Sequence, residues 1–362
     1  MNKTININEW IKNINRLFIP RPTKKVNKRF DMAERTIDFP DKYYNNFLKT
    51  LKQEDFITYP SYADYNNLKS QLGEYNGLKE ENVYLSAGSG ACLKSLCEVT
   101  VSEGYNVVSN VPCYPMYGIY AKIYGGEHIG VDYPGKPVFS LDNLISKVND
   151  KTRLVIVANP NSPMGDYKTI EDLKPVCEFL KNRNIVFMID EAYVDFGPDS
   201  VLPLIDEYDN VVISRTFSKA FGAAGIRVGY LLGNKNLINI ITKVQLTYPL
   251  TGVSVKFASF LLSHNDEVKN YAKKTKNDRE KLCDLLESLD YDVVRSHTNS
   301  IHFHESNGDN TKTIEKLKSA GLAFKSGDKA TGTPVRIPGD ERETWIRLSV
   351  GPDIDKIIGD II

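Results

Sequence analysis

The chain has 362 residues, of which 41% are hydrophobic and 25% charged, and its 46 lysines and arginines equal its 46 aspartates and glutamates. This length and composition fit a globular protein with one large and one smaller domain. The balanced charge creates no overall field that would attract nucleic acid or an anionic membrane, which favours a small molecule as partner.

No apolar run approaches the roughly 20 residues of a membrane-spanning helix, and the first residues show no secretory pattern. The five cysteines have no CxxC spacing, which argues against both a disulfide framework and a metal site. We therefore expect a cytoplasmic protein that binds no metal.

Amphipathic patterns predict helices over residues 43–51 and 65–75, after an irregular start that contains several prolines. Short β-branched runs then alternate with helical patterns, such as 91–101 and 170–181, which is typical of a mainly parallel sheet covered on both faces. The strand candidates are 83–86, 106–109, 127–131, 153–158, 185–189, 211–214 and 228–232.

From residue 234 the pattern changes to long helical stretches, followed by short strands and one more helix. The helical stretches are 234–245, 253–289 and 311–319, and the strands lie near 291–294, 300–303 and 345–350. We predict a large domain over residues 41–250, a small α/β domain over 251–362, and an N-terminal segment, 1–40, that packs on the small domain.

The strongest motif is residues 214–230, SRTFSKAFGAAGIRVGY, which lies between two predicted strands. A lysine used as a covalent amine must lose its proton, and the hydroxyls of Thr216 and Ser218 with the guanidinium of Arg227 suit a phosphate. A surface lysine in a glycine-containing loop is the ordinary alternative. The full string disfavours it and resembles the cofactor-lysine segment of fold-type I pyridoxal-phosphate (PLP) enzymes, most closely histidinol-phosphate aminotransferases. This resemblance implies that PLP is the cofactor, that Lys219 is its Schiff-base lysine, and that the other three side chains grip its phosphate.

The resemblance extends from about Phe30 to the C-terminus and implies the PLP-dependent transferase fold (type I), with a seven-stranded, mostly parallel sheet. Asp190 ends an apolar strand, where a buried carboxylate needs a cation. In the family this aspartate pairs with the pyridinium nitrogen, and a tyrosine three residues later, here Tyr193, bonds the ring oxygen. A helix N-cap is the alternative for Asp190. Tyr114 matches the first tyrosine of the family's Pro-x-Tyr-x-x-Tyr pattern, which stacks on the ring, and a core tyrosine is the alternative.

Small residues between a strand and a helix start form an anion cradle of backbone amides. Gly88, Ser89 and Gly90 have this placement and would meet the cofactor phosphate. The family commonly has an acidic pair just after the glycine, where this chain has Gly90 and Ala91, so the implied role is limited to the backbone.

Two further turns resemble family motifs. Residues 158–165, ANPNSPMG, match a turn whose asparagine before the second proline normally donates to the ring oxygen. Ser162 occupies that position, so either Ser162 or the neighbouring Asn161 makes the contact. Tyr59 matches a tyrosine that reaches the phosphate of the neighbouring subunit, which implies a homodimer with shared active sites, although an ordinary surface turn is the alternative.

Three basic residues are candidate substrate ligands. Arg347 lies in an apolar strand, and in the family its counterpart binds the substrate carboxylate; a structural ion pair is the alternative. Lys325 stands where histidinol-phosphate aminotransferases have an arginine for the substrate phosphate. Arg35 lies in the N-terminal substrate loop, where a solvent-facing arginine is an equally good interpretation.

These residues predict an aminotransferase acting between a small, possibly phosphorylated amino compound and a 2-oxo acid such as 2-oxoglutarate. Decarboxylation of a phosphorylated amino acid, of the threonine- or serine-phosphate type, is the main alternative, since the same residues would hold the cofactor. A non-catalytic regulatory domain is disfavoured because Lys219 is present and no basic helix-turn-helix extension precedes Asn27.

Overall fold

The computed structural model describes residues 8–15, 28–326 and 335–362. The strands are β1 (Lys28–Arg29), β2 (Val83–Ser86), β3 (Asn106–Val111), β4 (Glu127–Asp132), β5 (Thr152–Ala158), β6 (Val186–Asp190), β7 (Val211–Thr216), β8 (Gly229–Gly233), β9 (Tyr291–Val294), β10 (Ser300–Glu305), β11 (Leu322–Ala323), β12 (Lys325–Ser326) and β13 (Ile346–Ser349). The α-helices are α1 (Glu9–Lys12), α2 (Asp41–Leu48), α3 (Glu54–Ile57), α4 (Tyr62–Tyr75), α5 (Ser89–Thr100), α6 (Met116–Ile123), α7 (Leu141–Ser146), α8 (Ile170–Lys181), α9 (Leu204–Glu207), α10 (Lys235–Thr242), α11 (Gly252–Ser263), α12 (Asn265–Ser288), α13 (Thr311–Ser319) and α14 (Ile354–Gly359).

Local sequence signals explain several helix starts. Ser61 caps α4 and Thr169 caps α8, each in a capping box with the aspartate three residues later. Pro40 stands directly before α2, so this helix begins two residues earlier than the predicted 43–51. The predicted helical run 253–289 is two helices, because His264, with φ −122° and ψ 39°, leaves the helical region between α11 and α12.

The large sheet has seven strands in the order β2-β8-β7-β6-β5-β3-β4. Only β8 is antiparallel to its neighbours in this sheet, and the remaining pairs are parallel. The predicted seven-stranded, mostly parallel sheet is therefore confirmed.

The large sheet separates two apolar clusters, because side chains alternate between its faces along each strand. On β5, Val155 and Val157 enter the cluster that contains side chains of α4, α8 and α11, whereas Leu154 and Ile156 enter the cluster with α5, α6 and α10. Burial on both faces explains the near-continuous apolar runs that identified these strands.

The parallel strands place their carboxyl ends at one edge of the large sheet. Ala158 at the end of β5 is in register with Asp190 at the end of β6, and Asp190 is in register with Ser214 on β7. The loops that follow these strands therefore meet at this edge, where ligands bind in open α/β sheets.

A second, antiparallel sheet has the order β12-β13-β10-β9. One of its faces packs Ile301 and Phe303 of β10 against α12 and α14. Phe30 joins the same cluster, and β1 pairs in parallel with β11, so residues 28–30 pack on this part of the chain. Residues 1–7 and 16–27 of the predicted N-terminal segment lie outside the described residues, and we keep the domain boundaries at 40 and 250 as a proposal.

Within the described ranges, none of the helices combines the length and apolarity that a bilayer crossing requires.

Candidate active site

A cavity of about 1500 Å³ lies beyond the carboxyl edge of the large sheet and is closed on its other side by the small sheet. Most of the predicted site residues lie in its wall: Ser89, Gly90, Tyr114, Ser162, Asp190, Tyr193, Thr216, Ser218, Lys219, Arg227, Lys325 and Arg347. The fold therefore gathers into one site residues that are up to 258 positions apart in the sequence, from Ser89 to Arg347.

Lys219 follows β7 and is half-buried in the cavity wall. Its Nζ donates to the carbonyl oxygens of Met32 and Ala33, at 3.2 and 3.3 Å. The same nitrogen lies 5.1 Å from the centre of the Tyr193 ring. Its amine is thus held inside the cavity by neutral carbonyl acceptors.

Asp190 lies at the floor of the cavity, at the end of β6. Its Oδ2 accepts a hydrogen bond from the Tyr117 hydroxyl at 2.8 Å, and its Oδ1 accepts one from the amide of Ala192 at 3.2 Å. Burial nevertheless raises the pKa of Asp190 to about 6, although these hydrogen bonds act in the opposite direction. A buried carboxylate of this kind favours a cationic partner in the cavity.

Tyr117 was not among the predicted site residues. It is the second tyrosine of the Pro-x-Tyr-x-x-Tyr pattern, so its signal was present in the sequence beside Tyr114. The two tyrosine rings contact each other edge to face, with centroids 5.7 Å apart. Since α6 starts at Met116, the first tyrosine lies in the loop before the helix and the second lies within it.

Tyr193, Ser162 and Arg347 meet on the opposite side of the cavity. Arg347 Nη2 donates to Ser162 Oγ at 3.2 Å. Burial acts to raise the pKa of Tyr193, but the positive charges of Lys219 and Arg347, together with hydrogen bonds to Ser162 and Lys219, outweigh it, so this pKa lies below its ordinary value. Burial also lowers the pKa of Arg347, which indicates a guanidinium short of a compensating anion.

An anion cradle forms at the start of α5. Gly88 has φ 85°, and a Cβ on it would lie 2.6 Å from Arg227 Nη2, so glycine is required there. Arg227 Nη1 lies 3.3 Å from Ser218 Oγ, and Thr216 Oγ1 accepts from the Ser218 amide at 3.1 Å. The first amides of a helix lack intrahelical partners, so Ser89 and its neighbours can bind a phosphate together with these side chains.

Lys325 and Arg347 face the cavity from the small sheet. They are register partners on β12 and β13, so their side chains lie next to each other on one face. Burial, followed by the charge of Arg347, lowers the pKa of Lys325. The two cations create a positive region that an anionic ligand would stabilise.

Arg35 is not among the side chains that line the cavity, although the sequence predicts a substrate role for it. Its Nη2 lies 2.7 Å from Glu267 Oε1, and its guanidinium lies over the rings of Phe39 and Tyr271 at 4.4 and 4.2 Å. A nearly buried arginine needs an anionic or aromatic partner, and here the chain itself supplies both. Arg35 therefore ties the N-terminal segment to α12.

Of the remaining predicted residues, Asn161 and Tyr59 also lie outside the cavity wall. Asn161 is fully buried and its side-chain oxygen and nitrogen have no partner among the described residues, whereas Ser162 beside it lines the cavity. Of these two neighbours, Ser162 is the one that a ligand can reach. Tyr59 is exposed on the surface and stacks on Tyr248, with ring centroids 4.3 Å apart.

The site thus offers three features around one cavity: an amine on Lys219, a buried carboxylate on Asp190, and an anion cradle at the start of α5. A phosphorylated heteroaromatic aldehyde with a basic ring nitrogen complements all three. The fold and the site together define a PLP-dependent enzyme of fold type I.

Residues 31–357 match the family described as aminotransferase class I and II, and the chain belongs to this family. It is similar to the histidinol-phosphate aminotransferase of Pyrococcus furiosus, with 34% identity over 254 residues, covering 70% of this chain and 72% of the relative. It is also similar to the histidinol-phosphate aminotransferase of Clostridium novyi, with 27% identity over 330 residues, covering 91% and 88%. The protein is a PLP-dependent aminotransferase, as predicted, and its substrates are an amino compound and a keto acid.

Solved structures agree on the fold. Histidinol-phosphate aminotransferase of Sinorhizobium meliloti, in complex with pyridoxal-5'-phosphate, has a TM-score of 0.81 and 22% identity, covering 99% of this chain and 96% of that one. L-threonine-O-3-phosphate decarboxylase of Porphyromonas gingivalis has a TM-score of 0.71 and 17% identity, covering 92% and 97%. Likeness at these identities shows the fold alone, so the second structure gives no specific support to the decarboxylase alternative.

Proposed function

We propose that this aminotransferase takes its amino group from a small amino compound that carries an anionic group, with histidinol phosphate as the first candidate. The 2-oxo acid acceptor is of the 2-oxoglutarate type. The observation that carries this proposal is the positive region made by Lys325 and Arg347 in the cavity that also holds Lys219. The candidate compound is the substrate for which the similar histidinol-phosphate aminotransferases are named.

Bound PLP supplies an electron sink that makes the substrate Cα proton removable. Lys219 would hold the cofactor, and once the substrate amine has displaced it, its freed Nζ would accept the proton from the substrate Cα. Asp190 keeps the ring nitrogen protonated through an ion pair, and Tyr117 fixes the orientation of that carboxylate. Tyr193 and Ser162 would bond the ring oxygen, and Tyr114 would provide an aromatic face for the ring.

The cofactor phosphate is assigned to the cradle at the start of α5. The backbone of Gly88, Ser89 and Gly90 supplies amides, and the side chains of Thr216, Ser218 and Arg227 supply hydroxyls and a guanidinium. Charge-assisted hydrogen bonds to phosphate are about twice as strong as neutral ones, so this cluster would contribute most of the affinity that does not depend on the covalent bond.

The substrate anions are assigned to Arg347 and Lys325. Arg347 presents a planar fork that matches a carboxylate with two parallel hydrogen bonds, whereas Lys325 acts as a point charge on a flexible stem. A lysine side chain can bind phosphate groups in several orientations. We therefore expect the enzyme to use a broader range of anionic amino donors than a second arginine at this position would allow.

We also infer a homodimer with shared active sites, in which Tyr59 reaches the phosphate of the neighbouring subunit. The supporting observation is a run of exposed apolar side chains near this residue in the sequence, 63–76% exposed: Phe56, Ile57, Tyr59 and Tyr62. Tyr59 also stacks on Tyr248, and Leu246, two residues before Tyr248, is 75% exposed. Exposed apolar patches mark protein interfaces. Sedimentation of the wild-type protein and of a Phe56→Glu variant tests this, since the charge should dissociate the dimer.

The cytoplasmic location remains a prediction, and the five free cysteines agree with a reducing compartment.

The test of the substrate proposal is a donor screen with purified, PLP-loaded protein and 2-oxoglutarate. Histidinol phosphate, histidinol, O-phosphoserine and O-phosphothreonine are compared by glutamate formation. The proposal expects the phosphorylated donors to react with a lower KM than histidinol. Lys325→Gln should raise that KM by about tenfold, whereas Lys312→Gln, the same change on an exposed position of α13, should not.

Two results would count against the proposal. Equal KM values for histidinol and histidinol phosphate would remove the anion requirement. Release of carbon dioxide from a phosphorylated amino acid without glutamate formation would favour decarboxylation instead.

A further inference from the structure

His302 is a buried histidine whose ring nitrogens both lack a hydrogen-bond partner among the described residues. Its exposed fraction is 0%, and it forms part of the cavity wall. Interior polar atoms are nearly always paired, because an unpaired one costs free energy. His304, two residues along the same strand, shows the ordinary arrangement: its Nδ1 bonds the Glu305 carbonyl oxygen at 2.7 Å and its Nε2 bonds Thr344 Oγ1 at 2.9 Å. Packing alone therefore gives no reason for a polar ring at position 302.

The strand register places His302 beside Arg347. The two residues are directly opposite each other on β10 and β13, and Arg347 is in turn opposite Lys325 on β12. Ile301 and Phe303 face the apolar cluster on the other side of the sheet, so His302 faces the cavity side with the two cations. Directly opposite side chains in an antiparallel pair have Cβ atoms about 4.5–5.5 Å apart. The three residues thus form one row across three strands.

The imidazole in this row is neutral. Burial, and then the charge of Arg347, lower the pKa of His302 to about 3. A neutral imidazole keeps one nitrogen with a free lone pair, which is a hydrogen-bond acceptor, and a guanidinium has five donors. The Ser162 hydroxyl occupies one donor of Arg347. The outer torsion of histidine is broad, so its ring can turn toward a neighbour at little cost.

We propose that His302 is a positioning residue for Arg347: its neutral ring nitrogen accepts a hydrogen bond from the inner edge of the guanidinium and holds the fork toward the substrate anion. This inference rests on the proposed role of Arg347 as the ligand of that anion. A carboxylate at position 302 would compete with the substrate for the guanidinium of Arg347, and a permanent cation there would repel this guanidinium. A neutral acceptor orients the guanidinium without either effect.

The experiment measures KM and kcat for 2-oxoglutarate with PLP-loaded His302→Leu, His302→Gln and wild-type protein. His302→Leu removes the acceptor, so KM should rise by roughly 10-fold, the effect of losing one hydrogen bond to a charged group, with a much smaller change in kcat. Glutamine retains a carbonyl acceptor, so His302→Gln should restore most of the wild-type KM.

His304→Leu is the matched control on the same strand and face. It loses two hydrogen bonds, so its melting temperature should fall while its KM for 2-oxoglutarate stays at the wild-type value. A wild-type KM in His302→Leu would overturn the inference, and so would a His302→Gln variant with the same raised KM as the leucine variant. If His302→Leu does not fold, the glutamine variant decides alone, because a KM raised as far as in Arg347→Gln would refute the acceptor role.

Arg347→Gln separates this inference from the proposed function. If this variant has the wild-type KM, the assignment of Arg347 as the anion ligand fails and the inference fails with it. If its KM rises while that of His302→Leu does not, only the positioning role of His302 is refuted.

Discussion

Substitution of Asp190 by asparagine gives a quantitative test of the role of this buried carboxylate at the floor of the cavity. Burial raises the pKa of Asp190 from 3.8 to about 6. When an acid has a higher pKa in the folded chain, the folded chain binds the proton more tightly. The unfolding free energy therefore falls as pH rises from about 4 to about 6 and stays lower above that range. At 1.36 kcal/mol per pKa unit, this change corresponds to about 3 kcal/mol in protein without PLP.

Asparagine has the same shape but never carries the charge, so PLP-free Asp190→Asn should be the more stable protein at neutral pH. We expect a gain of about 1–3 kcal/mol, since the amide accepts less well than a carboxylate from Tyr117 and offsets part of the effect. Urea unfolding of both proteins between about pH 4 and pH 7.5 measures this difference, which should shrink toward the acidic end.

Addition of PLP should reverse the order of stability. The wild-type carboxylate then gains the ring nitrogen as a cationic partner, whereas the variant does not, so PLP should protect the wild type more and aminotransferase activity of the variant should be lost. Parallel pH profiles for the two PLP-free proteins, or equal protection of both by PLP, would refute the assignment of Asp190.

Three smaller tests probe other parts of the site. A Cβ on Gly229 would lie 2.1 Å from the amide nitrogen of Ser89, so Gly229→Ala should displace the start of α5. We expect a weaker PLP affinity in an absorbance titration and a loss of about 1–3 kcal/mol of unfolding free energy. An unchanged PLP affinity would contradict the assignment of the cofactor phosphate to this site. Arg35→Gln breaks the partly buried ion pair with Glu267 and should lower the unfolding free energy by about 1–3 kcal/mol. The KM for the amino donor should stay unchanged, and a raised KM would support the predicted substrate role of Arg35. Tyr117→Phe removes a hydrogen-bond donor to the buried carboxylate of Asp190. It should reduce kcat by about tenfold with little change in KM for either substrate. A wild-type kcat would show that the Tyr117 hydroxyl is dispensable.

The residues that the sequence predicted best are those that directly follow apolar strands. The family resemblance implied the roles of Lys219 and Asp190, and the strand pattern agreed with them, because parallel strands bring their carboxyl ends to one edge whatever the strand order. Their positions in the cavity wall agree with this reasoning.

The residues that the sequence missed or misplaced depend on long-range contacts. His302 gains its significance from being opposite Arg347, and the register of β10 with β13 cannot be read from either strand alone. Arg35 lies in a loop that resembles a substrate loop, but its partners come from α12, more than 230 residues later. Tyr117 has a signal in the sequence, because it is the second tyrosine of the Pro-x-Tyr-x-x-Tyr pattern that contains Tyr114.

The central claim is that the Lys219 amine binds PLP covalently in this cavity. The most direct measurement is borohydride reduction of the PLP-loaded protein, followed by proteolysis and mass spectrometry of the peptide that contains residues 214–230. The account predicts a pyridoxyl adduct on Lys219, and its loss in Lys219→Ala. An adduct on another lysine only, or a protein that takes up no PLP, would contradict it.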